Sequence, residues 1–148
     1  MTDDTALTFA GRGDTAAIEQ GHEFQPKFDS DGLISAVVSD RVSGTVVMVA
    51  HMNAEALRLT IATGVAHFWS RSRAMLWKKG QESGNVLNVV EMRVDCDQDA
   101  LWIIADIGGD GVACHTGRLS CFYRRIETPK ESTGGVGLAF VAPPKHGP

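Results

Sequence analysis

Two apolar runs that each read as a β-strand are joined by five residues, three of them acidic. Val86, Leu87, Val89, Val90, Met92 and Val94 lead into Asp95-Cys96-Asp97-Gln98-Asp99, and Leu101, Trp102, Ile103 and Ile104 leave it. Short runs rich in apolar and β-branched residues are strand signals. In an extended backbone successive side chains face opposite sides, so Asp95, Asp97 and Asp99 are expected on one face and Cys96 on the other. Three carboxylates on one face repel unless a cation sits among them, and carboxylates suit magnesium, calcium or manganese. A polar strand end or acidic turn in water is the plain alternative. The motif opens like an EF-hand, but Ala100 stands where that loop needs glycine and an apolar strand follows, which excludes the EF-hand.

Cys96, Cys114 and Cys121 are the chain's only cysteines, spaced C-x17-C-x6-C. That is not the paired C-x2-C of a zinc ribbon. Small buried hydrophobes are one reading; an odd count without a secretory signal argues against a disulfide framework. Three thiolates with a fourth position open to water make a catalytic zinc arrangement. His115 is the alternative fourth ligand of a closed structural site, although it adjoins Cys114 and points away from it if that segment is extended. A segment carrying both ligand sets reads as a site for two chemically different metals.

The rest of the chain fits one domain. Its 148 residues are enough to bury a core, and 43% hydrophobic against 22% charged residues is ordinary for a globular protein. A net charge of −4 argues against a broad nucleic-acid surface. The start, Met1-Thr2-Asp3-Asp4, lacks the basic opening and apolar core of a signal peptide, and no apolar run has the length of a membrane span; a cytoplasmic protein with reduced thiols is expected. Residues 1–23 lack periodicity and read as a flexible extension, 24–127 as the domain, and 128–148 as an extended Gly/Pro-rich tail. Strands are expected from Leu33, after the 40–44 connection, over 65–69 and over 75–77. Asn53 is a good N-cap and Gly64 a good stop for a helix over 54–63. Strands dominate, with one helix, so the fold class is mainly β (α+β).

A basic, glycine-containing segment concentrates phosphate-binding chemistry: Ser70-Arg71-Ser72-Arg73, then Trp77-Lys78-Lys79-Gly80-Gln81-Glu82-Ser83-Gly84-Asn85. Arginine grips phosphate bidentately and lysine supplies a point charge. The segment is neither a Walker A motif nor a dinucleotide fingerprint, and a solvated basic turn is its bland reading.

Taken in order, these motifs closely resemble the phosphoribosyl-AMP cyclohydrolase family, the third-step enzymes of histidine biosynthesis. The resemblance is carried by Asp31-Gly32-Leu33-Ile34, the run from Met48 to Leu57, Phe68-Trp69-Ser70-Arg71-Ser72-Arg73, Leu76-Trp77-Lys78-Lys79-Gly80, Ser83-Gly84-Asn85, the acidic motif, Ala113-Cys114-His115-Thr116-Gly117 and Ser120-Cys121-Phe122. It runs over about residues 24–127. It implies hydrolysis of the N1–C6 bond of the adenine ring of phosphoribosyl-AMP by a homodimer whose active sites form between subunits. It implies zinc on Cys96, Cys114 and Cys121, contributed across the dimer, and magnesium (or manganese) on Asp95, Asp97 and Asp99. It implies a barrel-like, intertwined dimeric fold with helical caps. His51 stands where the family usually has an aromatic residue, and Glu82 where it commonly has threonine. The family includes fusions with a pyrophosphohydrolase domain, for which this chain is too short.

In such a site zinc lowers the pKa of a water from 15.7 towards about 7. His115 is the preferred proton carrier, because imidazole titrates near working pH; a structural histidine is its alternative, and His67 is the second candidate. Arg71, Arg73 and Lys79 are expected on the phosphates, with Ser83 beside them, and Trp77 either stacks on the base or fills core. Three competing readings remain: a zinc nucleotide deaminase, which would carry the absent H-x-E and P-C-x-x-C signature; a binding module with structural zinc; and a redox thiol protein, weakened by the missing C-x-x-C.

Overall fold

The computed structural model describes residues 7–127 and 134–142. The helix expected over 54–63 starts and stops where local chemistry directs. In α2 (Ala54–Thr63), Asn53 Oδ1 accepts the Ala56 N–H at 2.8 Å. Gly64, at φ 73°, donates its N–H to the Thr60 carbonyl; a residue with a Cβ adopts that left-handed conformation only at a cost. Ala56, Leu57 and Thr60 form the helix's buried face. The Thr60 hydroxyl donates to the Ala56 carbonyl and accepts the N–H of His67 at 2.9 Å, tying the helix to the strand that follows.

Four strands make the central sheet: β1 (Ile34–Asp40), β2 (Val46–Met52), β5 (Leu87–Val94) and β6 (Ala100–Ile107), in the order β2-β1-β6-β5. The middle pair, β1 and β6, is parallel; the flanking pairs are antiparallel. Alternation sorts the side chains. Ile34, Ala36 and Val38 of β1 and Leu101, Ile103 and Ala105 of β6 are buried on one face. On the other lie the register partners Val49, Val37, Trp102 and Arg93, where Val49 and Trp102 remain exposed. Two hairpins complete the chain, β3 (His67–Ser70) with β4 (Met75–Lys78), and β7 (Arg124–Ile126) with β8 (Leu138–Phe140). Phe68 of β3 and Leu57 of α2 are wholly buried in the core cluster with the sheet's inner face.

The class is therefore α+β and mainly β, as expected. The sheet is open: β2 and β5 are its edges, and among the described residues no barrel closes within one chain. The stretch 7–23 holds α1 (Thr15–Gln20), N-capped by Asp14, and Phe9 packs edge-on against Phe24 with centroids 5.6 Å apart. In the Gly/Pro-rich tail β8 pairs with β7; residues 1–6, 128–133 and 143–148 lie outside the described residues. Among the described residues no helix is long and apolar enough to cross a membrane.

Candidate functional site

The acidic motif is a turn between antiparallel β5 and β6, not the extended run that its alternation suggested. The Gln98 N–H donates to the Asp95 carbonyl at 3.0 Å, and the Asp95 N–H donates to the Ala100 carbonyl at 3.1 Å. Asp95 Oδ1 accepts the N–H groups of Asp99 and Ala100. Gln98 closes the turn at φ 60°, a left-handed conformation in a residue that is not glycine. The aspartates still converge: one carboxylate oxygen from each of Asp95, Asp97 and Asp99 lies within 4.8 Å of the other two. The turn, not the pleat of a strand, brings them together.

Crowding shows in their protonation. Hydrogen bonds shared with Asp95 and then Asp97, with some desolvation and the two negative charges, push the Asp99 carboxyl up to about 6. Burial works against ionisation of Asp95, but the donors of Asp99 and Ala100 outweigh it and hold Asp95 below the ordinary carboxylate range. Three oxygens at this spacing are a donor set for a hard, oxygen-seeking cation.

Cys114 and Cys121 come from one loop folded onto β2. The Ala113 and Cys114 N–H groups donate to the carbonyls of Leu119 and Arg118, and the Gly117 N–H donates to the Cys114 carbonyl at 3.0 Å. Cys114 is buried at the base of this loop, and His115 and Thr116 are exposed at its tip. The Cys121 N–H donates to the Val47 carbonyl at 2.7 Å, and the Ser120 hydroxyl to the Val46 carbonyl at 2.7 Å. Burial opposes ionisation of Cys114, yet the Thr116 hydroxyl (3.1 Å from Sγ) and N–H, the Cys121 thiol and the Lys79 ammonium together hold it below the usual thiol range. Cys121 is exposed as a residue, but its sulfur faces Cys114. Desolvation first, then that neighbour's charge, push it up to about 11. Two thiols in contact beside a lysine are a soft donor pair suited to zinc.

The basic segment divides. Arg71 and Arg73 are exposed on the β3–β4 turn. Lys79 reaches the other loop, where its Nζ donates to the Ala113 carbonyl and lies 5.9 Å from the centroid of the Trp77 ring. Trp77 is half-buried, packed on Phe68 at 5.1 Å, as core rather than as a free stacking surface. Ser83 and Glu82 are exposed, and the Ser83 hydroxyl accepts the Asn85 N–H. The Asn85 side chain in turn accepts the Asp110 N–H at 2.7 Å. A Cβ on Gly109 would sit 2.2 Å from that oxygen, so the two loops meet only with glycine there. His67 is half-buried with Nδ1 2.8 Å from the Val65 carbonyl, and His51 is half-buried in β2 opposite Ser35.

One chain does not unite the three cysteines. Cys96 follows Asp95, whose partner Ala100 lies opposite Ser35. Cys121 is bonded to Val47, at the end of β1 where Ser39 faces Val46. At about 3.3 Å per residue these positions are on the order of 10 Å apart along the strands, whereas thiolates sharing a zinc lie within about 4 Å of one another. The aspartate turn and Cys96 therefore occupy one end of the sheet; Cys114, Cys121 and Lys79 occupy the other. Thr116, Gln98 and Arg12, all engaged at these two loops, were not singled out in the sequence. Thr116 is marked only by its place two residues after Cys114, and Arg12 by nothing local.

The model of the family described as phosphoribosyl-AMP cyclohydrolase matches residues 48–123. Curated relatives of the chain carry that same name, three of them as follows. The protein of Brucella suis biovar 1 is 57% identical over 129 residues, covering 87% of this chain and 91% of the relative. That of Brucella melitensis biotype 2 is 61% identical over 129 residues, with the same coverage. That of Brucella abortus is 63% identical over 117 residues, covering 79% of this chain and 96% of the relative.

Proposed function

The chain belongs to the phosphoribosyl-AMP cyclohydrolase family, a cyclohydrolase of histidine biosynthesis, and on that premise we propose a zinc-dependent opening of the adenine ring at N1–C6 in a site shared by two copies of the chain. The observation that carries this reading is the thiol pair Cys114–Cys121, which lacks a third sulfur from its own chain. Cys96 of a second copy supplies it in this reading, and that copy's aspartate turn comes with it. Soft thiolates fit zinc and the convergent carboxylates fit magnesium or manganese. Zinc held by Cys114, Cys121 and the partner copy's thiol would supply Lewis-acid activation of water, whose pKa such a metal lowers to about 7.

The chain's own residues do the rest. Lys79, beside the thiols, balances their negative charge. Arg71 and Arg73, exposed on their turn, are free to meet phosphates, and Ser83 lies on the loop that ends at Asn85. His115, exposed at the tip of the thiol loop, carries the proton to the departing ring nitrogen. His115→Ala is expected to keep both metals and lose about a hundredfold in kcat, measured by turnover beside metal analysis; an unchanged kcat would remove it from proton transfer.

The cation must displace the proton that Asp99 holds up to about pH 6. Protonation is favoured below that value, so affinity for Mn²⁺ should fall by about tenfold per pH unit below 6 and level off above it. Titrating Mn²⁺ by electron paramagnetic resonance at pH 5 and pH 7 measures this, and an equal affinity at both would take Asp99 out of the ligand set. The test of the whole reading is incubation with phosphoribosyl-AMP, following the ultraviolet spectrum with and without a zinc chelator. Chelator-sensitive appearance of the aminoimidazole carboxamide chromophore is expected. No spectral change with one zinc per chain would favour a module with structural zinc.

A further inference from the structure

Within the acidic turn, the one residue without charge apart from Cys96 is the one that is buried: Gln98 is 4% exposed. Its side chain is fully engaged by the N-terminal segment. Gln98 Oε1 accepts the Gln25 N–H at 2.7 Å, and Nε2 donates to the carbonyls of Ile18 (2.9 Å) and Glu23 (3.4 Å). The Gln98 carbonyl accepts the Lys27 N–H at 2.8 Å. Arg12 crosses the same seam, donating through Nη1 to the Asp97 carbonyl at 2.7 Å and to the Gln25 carbonyl at 3.0 Å. Gln25, itself 5% exposed, accepts the Gly13 N–H through Oε1 at 2.7 Å.

Residues 12–27 thus hold the backbone at positions 97 and 98, between the three aspartates, by contacts that leave the carboxylates untouched. This matters because the carboxylates repel one another without a cation, and because Gln98 must stay at φ 60° for the turn to keep its shape. A ligand set fixed from behind binds without first being reorganised.

We propose that residues 12–27 form a strap that preorganises the acidic turn for its divalent cation, with Arg12 and Gln98 as positioning residues. The inference rests on the reading of Asp95, Asp97 and Asp99 as the cation site. It is tested in the full-length protein with Arg12→Ala, at an exposed position, and Gln98→Gly, which removes the anchor while permitting the left-handed backbone. The dissociation constant for Mn²⁺ is expected to rise roughly tenfold in each. The Mg²⁺ needed for half-maximal turnover should rise in parallel, with kcat at saturating Mg²⁺ held within about twofold and Arg12→Lys recovering part of the affinity. Wild-type affinity in both variants would overturn the strap and leave the cation site standing. A loss of kcat that saturating Mg²⁺ does not restore would also overturn it, as a structural defect. A wild-type protein that binds no Mn²⁺ would overturn the cation reading and the strap together.

Discussion

Cys114→Ala is expected to yield protein without bound zinc and with turnover of phosphoribosyl-AMP lowered by at least about a thousandfold. Cys114 is the thiol of the pair that its neighbours bias towards ionisation: Thr116 donates to it and Lys79 faces it. Its removal leaves the proposed zinc set without one of its three sulfurs. The thiolate, not the thiol, binds the metal. Mn²⁺ affinity at the aspartates should be nearly unchanged, since no thiol is among their donor oxygens. Elemental analysis, turnover and Mn²⁺ titration on one preparation separate these effects. Full activity in a zinc-free variant would refute the zinc reading outright.

The second large effect is a recovery. Cys96→Ala and Cys114→Ala are each expected to be inactive alone, and a mixture reassembled from both should regain about a quarter of wild-type activity. In a mixed pair one site carries both lesions and the other neither, and random pairing makes half of the assemblies mixed. This follows from Cys96 and Cys121 sitting at opposite ends of the sheet in each chain. Co-expression with distinguishable tags makes the mixture, and the doubly tagged protein isolated from it, being all mixed pairs, should show about half of wild-type turnover per chain. An inactive doubly tagged species would mean that each chain uses its own cysteines.

What could be read from residues alone was local. Asn53 and Gly64 bound α2 at the expected positions, because a cap is satisfied by the side chain and backbone of its own segment. The strands flanking the acidic motif were visible in their apolar, β-branched runs, although only β6 buries its run on the core face while β5 leaves Val90 and Val94 exposed. The motif itself was misread as extended. A left-handed Gln98 sends no sequence signal of the kind a glycine would, and the anchors that hold it come from residues roughly seventy to eighty positions away. Helix α1 escaped notice because six residues without one buried side chain carry no periodicity. The aspartates' proximity was expected for the wrong geometric reason. The separation of Cys96 from Cys114 and Cys121 was implied by the family resemblance alone, since spacing along the chain carries no register.

The parallel pairing at the centre of the sheet has a bearing on how the chain is made. Ser35 and Ala100 face each other there although they are roughly sixty-five residues apart in sequence. While the ribosome is still adding residues short of β6, β1 can do no more than fold back on β2, with its other edge bare. The nascent chain must therefore carry a hydrophobic strand with one edge unpaired through nearly half of its synthesis, and a transcript broken before Ala100 would release a fragment suited to aggregation rather than a smaller working domain.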